Sequence, residues 1–291
     1  MLYALYAQSF RSGGFDERAV SADSMLPYSP ETVNNYEVGL KTQFWNDRMR
    51  INVTGFQSKF KDKQETIFRT VESGNQESVT ENIARASVNG FEVDVRIIPM
   101  ERFQVRAAYG HLSTDFNRFR VPSRETAGAF DSTTGIDLLR APENTLSLSG
   151  SYIWNLAEGR IQANASYSWI SDYRTRRSNI TIGEDVTDDD TGQTAYVAPV
   201  SEPIVVGNVN GRGIWNVSIA YLWQDWTVRL FSRNFNNKQY LQNTASISSA
   251  YVVTTGPNDA ATPLFTNSEY SEPRYSGLEF TFQPDFSKPR R

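Results

Sequence analysis

Cysteine is absent from these 291 residues, and histidine appears once, at position 111. The first absence excludes disulfide staples, thiolate nucleophiles and cysteine-ligated metal, and it leaves the redox compartment open. The second means that any Ser-His-Asp arrangement would have to centre on His111. Long apolar runs are missing too. Stretches such as Ile97-Ile98 before Pro99, or Ala250 to Val253, fall far short of the roughly 20 residues of a membrane-crossing helix. Strands remain open, because each needs only about 9–11 residues and hides its apolarity in alternation. Basic charge is not in excess either: the formal net charge is −4, which argues against nucleic acid, whose phosphates demand a basic face. Met1 to Gln8 have neither a basic n-region nor a continuous apolar core, so they are not a signal peptide. They alternate like a strand, and a chain that opens inside a strand is expected to have lost its beginning.

What is present is ring surface: 17 Phe, 14 Tyr and 6 Trp, too much apolar area for a disordered polar chain. It is organised with period two at about ten places. Leu2 to Ser9 is the first, and Tyr36, Val38, Leu40 and Phe44 mark the second. Met49, Ile51 and Val53 follow, with a bulge expected near Gly55 where the phase blurs. Phe91, Val93, Val95 and Ile97 then alternate with Glu92, Asp94 and Arg96. The pattern repeats over Phe103 to Tyr109, Leu146 to Trp154, Ile161 to Trp169, Trp215 to Trp223, Trp226 to Leu230 and Leu278 to Phe282. No segment of similar length has helical three-and-four spacing, so the fold class is all-β.

Connections alternate strictly in length. Short turns fall at Trp45-Asn46-Asp47, Pro99-Met100-Glu101, Asn155 to Gly159 and Gln224-Asp225. Long polar stretches fall at Arg11 to Pro30, Asp62 to Glu81, Asp115 to Ala141, Arg174 to Arg212 and Lys238 to Glu272. All turns therefore lie at one end of the strands and all loops at the other, as in an antiparallel transmembrane β-barrel with periplasmic turns and external loops. The face carrying Glu92, Asp94 and Arg96 must be wet, since Arg at the bilayer midplane on the lipid side costs roughly 2–4 kcal/mol. Phe91, Val93, Val95 and Ile97 then face hydrocarbon, and Tyr152, Trp154, Tyr167, Trp169, Trp215 and Trp223 fall where interfacial girdles sit. The competing reading is a soluble β-sandwich binding module, whose strands also alternate but whose loops seldom sort to one end.

Three groups of polar residues invite a chemical reading. His111, Ser113 and Asp115 share one face of a strand, although a polar strand end needs no special role. Glu184, Asp185, Asp188, Asp189 and Asp190 crowd one loop; EF-hand spacing is absent, and a solvated acidic loop is the preferred reading over calcium or any other metal. Arg174, Arg176 and Arg177 stand where the seventh strand meets that loop, a height suited to lipopolysaccharide phosphates or an anionic ligand, with plain solubilising charge as the alternative. Gly13-Gly14 and Gly211-Arg212-Gly213 read as loop punctuation.

The segment Pro30-Glu31-Thr32-Val33-Asn34-Asn35-Tyr36-Glu37-Val38-Gly39-Leu40-Lys41, followed by a turn and Arg48 to Asn52, resembles a hairpin of TonB-dependent receptor barrels. Arg233-Asn234-Phe235-Asn236-Asn237-Lys238-Gln239-Tyr240 is similar to that family's penultimate strand and the start of its last long loop. Pro273 to Phe282 looks like its closing strand, followed here by an additional tail, Gln283 to Arg291. The resemblance implies that residues 1–291 are the C-terminal segment of a barrel of about 22 strands, with a plug domain and a TonB-contacting segment lying elsewhere. It implies a Gram-negative outer-membrane location and no covalent chemistry or cofactor. The implied function is energised uptake of a scarce nutrient, a ferric siderophore foremost. Outer-membrane lipid, the TonB complex, the barrel-assembly machinery and a small-molecule ligand are the implied partners, with Gly277, Phe280 and Phe282 as assembly signal. A passive porin is the alternative within the membrane.

Overall fold

The computed structural model describes residues 1–17, 19–21, 25–70, 76–122, 130–133, 138–175, 179–180, 184–187, 194–197, 204–205, 208–246 and 266–284. Among them no helix forms. Ten strands pair antiparallel in chain order into one sheet: β1 (Leu2–Arg11), β2 (Glu31–Phe44), β3 (Met49–Thr70), β4 (Gln76–Met100), β5 (Phe103–Pro122), β6 (Asn144–Leu156), β7 (Gly159–Ile170), β8 (Arg212–Trp223), β9 (Trp226–Arg233) and β10 (Tyr275–Phe282). All ten alternating segments of the sequence lie in these strands. β1 and β10 are the sheet's edges, each paired on one side only. Phe130–Thr133 adds a short strand beside the end of β5.

Alternation forces the sheet to be two-faced, and the register makes each face continuous. One row joins Leu2, Leu40, Val53, Val93, Tyr109, Leu146 and Trp169 across seven strands. A second joins Trp154, Ile161, Tyr221, Val228 and Phe280. These side chains have no second layer above them: Val38, Leu230, Leu278 and Phe280 are all more than half exposed, at 59%, 56%, 57% and 66%. A sandwich would bury this face under a facing sheet. Here only Phe116 and Val209 are fully buried large side chains among the described residues. The apolar face instead needs a non-aqueous solvent, which a bilayer supplies. On β4 the ten steps from Asn89 to Pro99 give about 33 Å of strand, or about 25 Å of height at a tilt near 40°, the thickness of a barrel's hydrocarbon band.

Aromatics close the band at both ends. On the turn side Trp226 stacks on Phe282 (4.7 Å between ring centres) and Tyr152 on Trp154 (4.4 Å). On the loop side Tyr6 meets Tyr36 (5.2 Å) and Tyr167 meets Trp215 (4.8 Å). Rings that are apolar in the middle and polar at the rim suit both interfaces. The turns are tight because the chain accepts left-handed backbone there: Trp45, Asn46 and Asp47 have φ of 59°, 49° and 65°, Arg102 68° and Gln224 51°.

Four sequence expectations are corrected. The polar stretch Asp62 to Glu81 is largely not a loop: β3 and β4 continue through it, paired from Lys63↔Ala84 to Thr70↔Gln76. Backbone pairing outlasts the apolar alternation because above the membrane neither face needs to be greasy. Likewise β5 runs on to Pro122 inside the stretch expected as loop from Asp115. The irregularity expected at Gly55 sits instead between Phe60 and Gln64, where Asp62 adopts φ 53°. Gly211-Arg212-Gly213 is also more than punctuation, since β8 begins at Arg212; a Cβ on Gly213 would lie 2.2 Å from the Tyr167 hydroxyl, so the strand needs glycine there.

Where these extended arms rise, a small core of Ile83, Ala84, Ala86 and Phe116 packs with Phe60 and Leu138. The residues after β1 fold onto it: Gln64 donates from Nε2 to the Ser12 (2.9 Å) and Ser29 (3.0 Å) carbonyls, and the Glu31 carboxylate accepts the Gln64 backbone N–H (2.9 Å).

Val93→Arg should cost about 2–4 kcal/mol in urea titrations of the full-length gene product folded into lipid vesicles, whereas Ser168→Arg on the opposite face should cost less than about 1 kcal/mol.

Candidate ligand-facing wall and loop base

The polar face is the hollow one. A depression of about 380 Å³ lies on it across β5 to β9, lined by Gln104, Arg106, Asn164, Asn216, Arg229 and Arg233 among others. A second, of about 520 Å³ near the turns, includes Asn155, Arg160, Thr227 and Gln283. The sheet is therefore concave on its watery side, as a barrel wall is towards its lumen. Hydrogen bonds run from strand to strand over this wall: Tyr3 Oη donates to Glu37 Oε1 (2.7 Å), Asn52 Nδ2 to Asp94 Oδ1 (3.2 Å) and Arg96 Nη2 to Gln104 Oε1 (2.9 Å). Arg229 forms a forked contact with Glu279, through Nε at 3.0 Å and through Nη2. Glycines on this face make room for rings: a Cβ on Gly39 would lie 2.3 Å from the Tyr3 ring, and one on Gly277 2.8 Å from the Phe231 ring.

At the loop end a cleft of about 550 Å³ is lined by His111, Thr114, Glu143, Asp172, Arg174 and Asn208, among others. Arg174 is exposed and closes a short pair with Asn208, so it stands at the mouth of this cleft. Arg176 and Arg177 lie outside the described residues. His111 sits on the convex face beside Phe91, 5.5 Å between ring centres, with its Nδ1 3.0 Å from Asn144 Oδ1 and 3.8 Å from Glu143. Tyr109 Oη donates to the same Asn144 oxygen (2.6 Å). Neither Ser113 nor Asp115 is joined to His111 by a described hydrogen bond; the Asp115 carboxylate accepts from Asn117 instead (3.3 Å). The expected shared face thus does not become a triad, and His111 marks the upper rim of the apolar band. Glu184 and Asp185 pair with Val197 and Tyr196 in a short hairpin, while Asp188, Asp189 and Asp190 lie outside the described residues.

The stretch Arg233 to Tyr240 has a physical reason for its asparagines. Asn234 (φ 46°) and Asn237 (φ 49°) turn the chain out of β9. Asn234 is buried; its Nδ2 donates to the Lys238 (3.0 Å) and Glu272 (3.1 Å) carbonyls, and its Oδ1 accepts the Lys238 N–H (2.8 Å). Asn236 ties the turn to β8, donating to the Gly213 carbonyl (2.8 Å) and accepting from the Trp215 N–H (3.1 Å). Asn237 Oδ1 accepts the Arg274 N–H (3.0 Å), just before β10. Three short amides thus clamp both feet of the last long loop, where longer side chains would overshoot.

Over residues 1–237 the sequence matches the family described as TonB dependent receptor-like, beta-barrel. The chain belongs to the TonB-dependent receptor family. As in that family, it is an integral β-barrel protein of the outer membrane. Solved structures show the same architecture: the ferric yersiniabactin uptake receptor FyuA from Yersinia pestis has a TM-score of 0.65 at 12% identity, over 98% of this chain and 35% of that one. The siderophore receptor PiuA from Acinetobacter baumannii gives 0.63 at 14%, over 97% and 34%, and the pyoverdine outer membrane receptor FpvA from Pseudomonas aeruginosa gives 0.58 at 15%, over 97% and 34%. At such identities the likeness is one of fold. The chain spans about a third of the length of these receptors.

In this TonB-dependent receptor wall, Gly277 lies on the luminal face beneath Phe231, whereas Phe280 and Phe282 face outward opposite Val228 and Trp226. The pattern places a ring at the turn-side rim and another one row above it.

Asn234→Ala should lower stability by about 1–3 kcal/mol, because it strands buried backbone groups. The same substitution should speed proteolysis within residues 238–272 in the full-length product, measured in detergent by thermal melting and limited digestion.

Proposed function

We propose that this chain forms part of the wall of an outer-membrane receptor for energised uptake of a scarce nutrient, a ferric siderophore foremost. The observation that carries this reading is the division of the molecule. A hydrogen-bonding concave face runs the height of the strands, and every long connection gathers at one end, above a cleft lined by Arg174. Such a wall can pass a polar ligand without exposing it to lipid, and such loops can capture it. Support also comes from the similar structures, three of which are named as receptors for ferric yersiniabactin, a siderophore and pyoverdine.

In this reading residues 1–291 belong to one barrel domain. TonB couples to a part of the receptor that these residues do not include, and Arg174, Arg176 and Arg177 meet anionic ligand or lipopolysaccharide. Gly277, Phe280 and Phe282 serve the barrel-assembly machinery, with the glycine leaving room for the Phe231 ring on one face of the closing strand and the rings presenting apolar surface on the other.

Cells lacking the gene should fail to accumulate radioactive iron from one or a few ferric siderophores, and full-length complementation should restore it. A protonophore should abolish the restored uptake. Uptake that persists with the protonophore would favour a passive porin, and no loss for any siderophore would remove iron from the proposal.

A further inference from the structure

The row of the concave face next to the short turns carries an unusual charge arrangement. Cross-strand pairing sets Gln43 opposite Arg50, Arg50 opposite Arg96 and Arg96 opposite Arg106, and continues to Ser149. Three guanidiniums thus stand side by side on adjacent strands, which lie about 4.8 Å apart. Like charges directly opposite one another are destabilising. Among the described residues no carboxylate lies within ion-pairing distance of any of the three. Their hydrogen bonds go to neutral amides, Arg50 Nη2 to Gln43 Oε1 (3.2 Å) and Arg96 Nη2 to Gln104 Oε1 (2.9 Å). Asp94, in the next row, has its carboxylate bonded to Asn52. Arg96 Nε is buried without any partner, and Arg106 opens into the 380 Å³ depression, whose rim adds hydroxyls and amides.

A buried, unpartnered guanidinium nitrogen is costly unless an acceptor arrives. Arginines in a row present forked donors at spacings that suit several carboxylate oxygens at once. We propose that Arg50, Arg96 and Arg106 form an oxyanion-binding strip on the luminal wall that takes a multi-carboxylate group. That group comes either from a small molecule in the lumen or from an acidic stretch of the same polypeptide. The inference rests on the concave face and holds whichever nutrient the receptor carries.

The test uses the full-length gene product in detergent at fixed ionic strength, as wild type, R106Q and R96Q/R106Q, with citrate as probe. R106Q removes a side chain without a described hydrogen bond, so it should fold even if the double variant does not. If the carboxylates come from a free molecule, citrate raises the melting temperature of the wild type, and R106Q weakens its binding at least tenfold. If they come from the polypeptide, citrate has no effect, but R106Q lowers the melting temperature and 1 M salt removes the difference. A wild type indifferent to citrate, with R106Q melting at or above it, would overturn the proposal, because relieved repulsion would then be all that the substitution does.

Discussion

Everything in this molecule depends on the pleat keeping its two faces apart while neighbouring strands satisfy each other's backbone. In hydrocarbon an unpaired N–H or C=O costs several kcal/mol, so each strand is compelled to hydrogen-bond laterally, and lateral bonding fixes the register. Once the register is fixed, period two decides which side chains meet lipid and which meet water. The row from Leu2 to Trp169 and the row from Gln43 through Ser149 and Ser166 to Asn216 are consequences of the same pairing, three residues apart on each strand they share, an odd offset that puts them on opposite faces with opposite chemistry. The scarcity of buried residues, which in a soluble protein would signal failure, follows from using a bilayer in place of a core.

The same constraint relaxes above the membrane, and there the structure changes character. β3, β4 and β5 extend beyond the apolar band as polar hairpin arms, and a conventional small core forms around Phe116. Loops are anchored by individually placed amides: Gln64 and Asn82 hold the first long connection, and Asn234, Asn236 and Asn237 the last. These amides give the long connections fixed feet on a wall that cannot bend without breaking its ladder.

Much of this was legible in the residues. The ten strands, the outward set Phe91, Val93, Val95 and Ile97, and the sorting of turns from loops follow from alternation, because greasy and watery surroundings impose it directly. What alternation could not supply is lateral alignment. Between β4 and β5 the register shifts from Ile97↔Val105 to Met100↔Phe103, a bulge beside Pro99, which has no N–H for the ladder. Counting back evenly from the turn would have placed Arg96 opposite Ala107 and hidden the arginine row. The arms of β3 and β4 were unreadable for a different reason: with no hydrocarbon to impose it, Lys63 to Thr70 lack the apolar period although they keep the strand. His111 shows the limit of shared-face reasoning. The face was right, but it is the outward one, and Asn144 on the next strand is its partner.

The most direct test of this division exploits the lack of cysteine in these 291 residues, with any cysteine elsewhere in the receptor replaced by serine. Single cysteines from Gly90 to Ile97 in the full-length receptor, spin-labelled in vesicles, would report exposure to dissolved oxygen in lipid against a water-soluble nickel chelate. The account predicts a strict two-residue period, with positions 91, 93, 95 and 97 favouring oxygen and 92, 94 and 96 favouring nickel. Equal access of the aqueous reagent to both sets would contradict it.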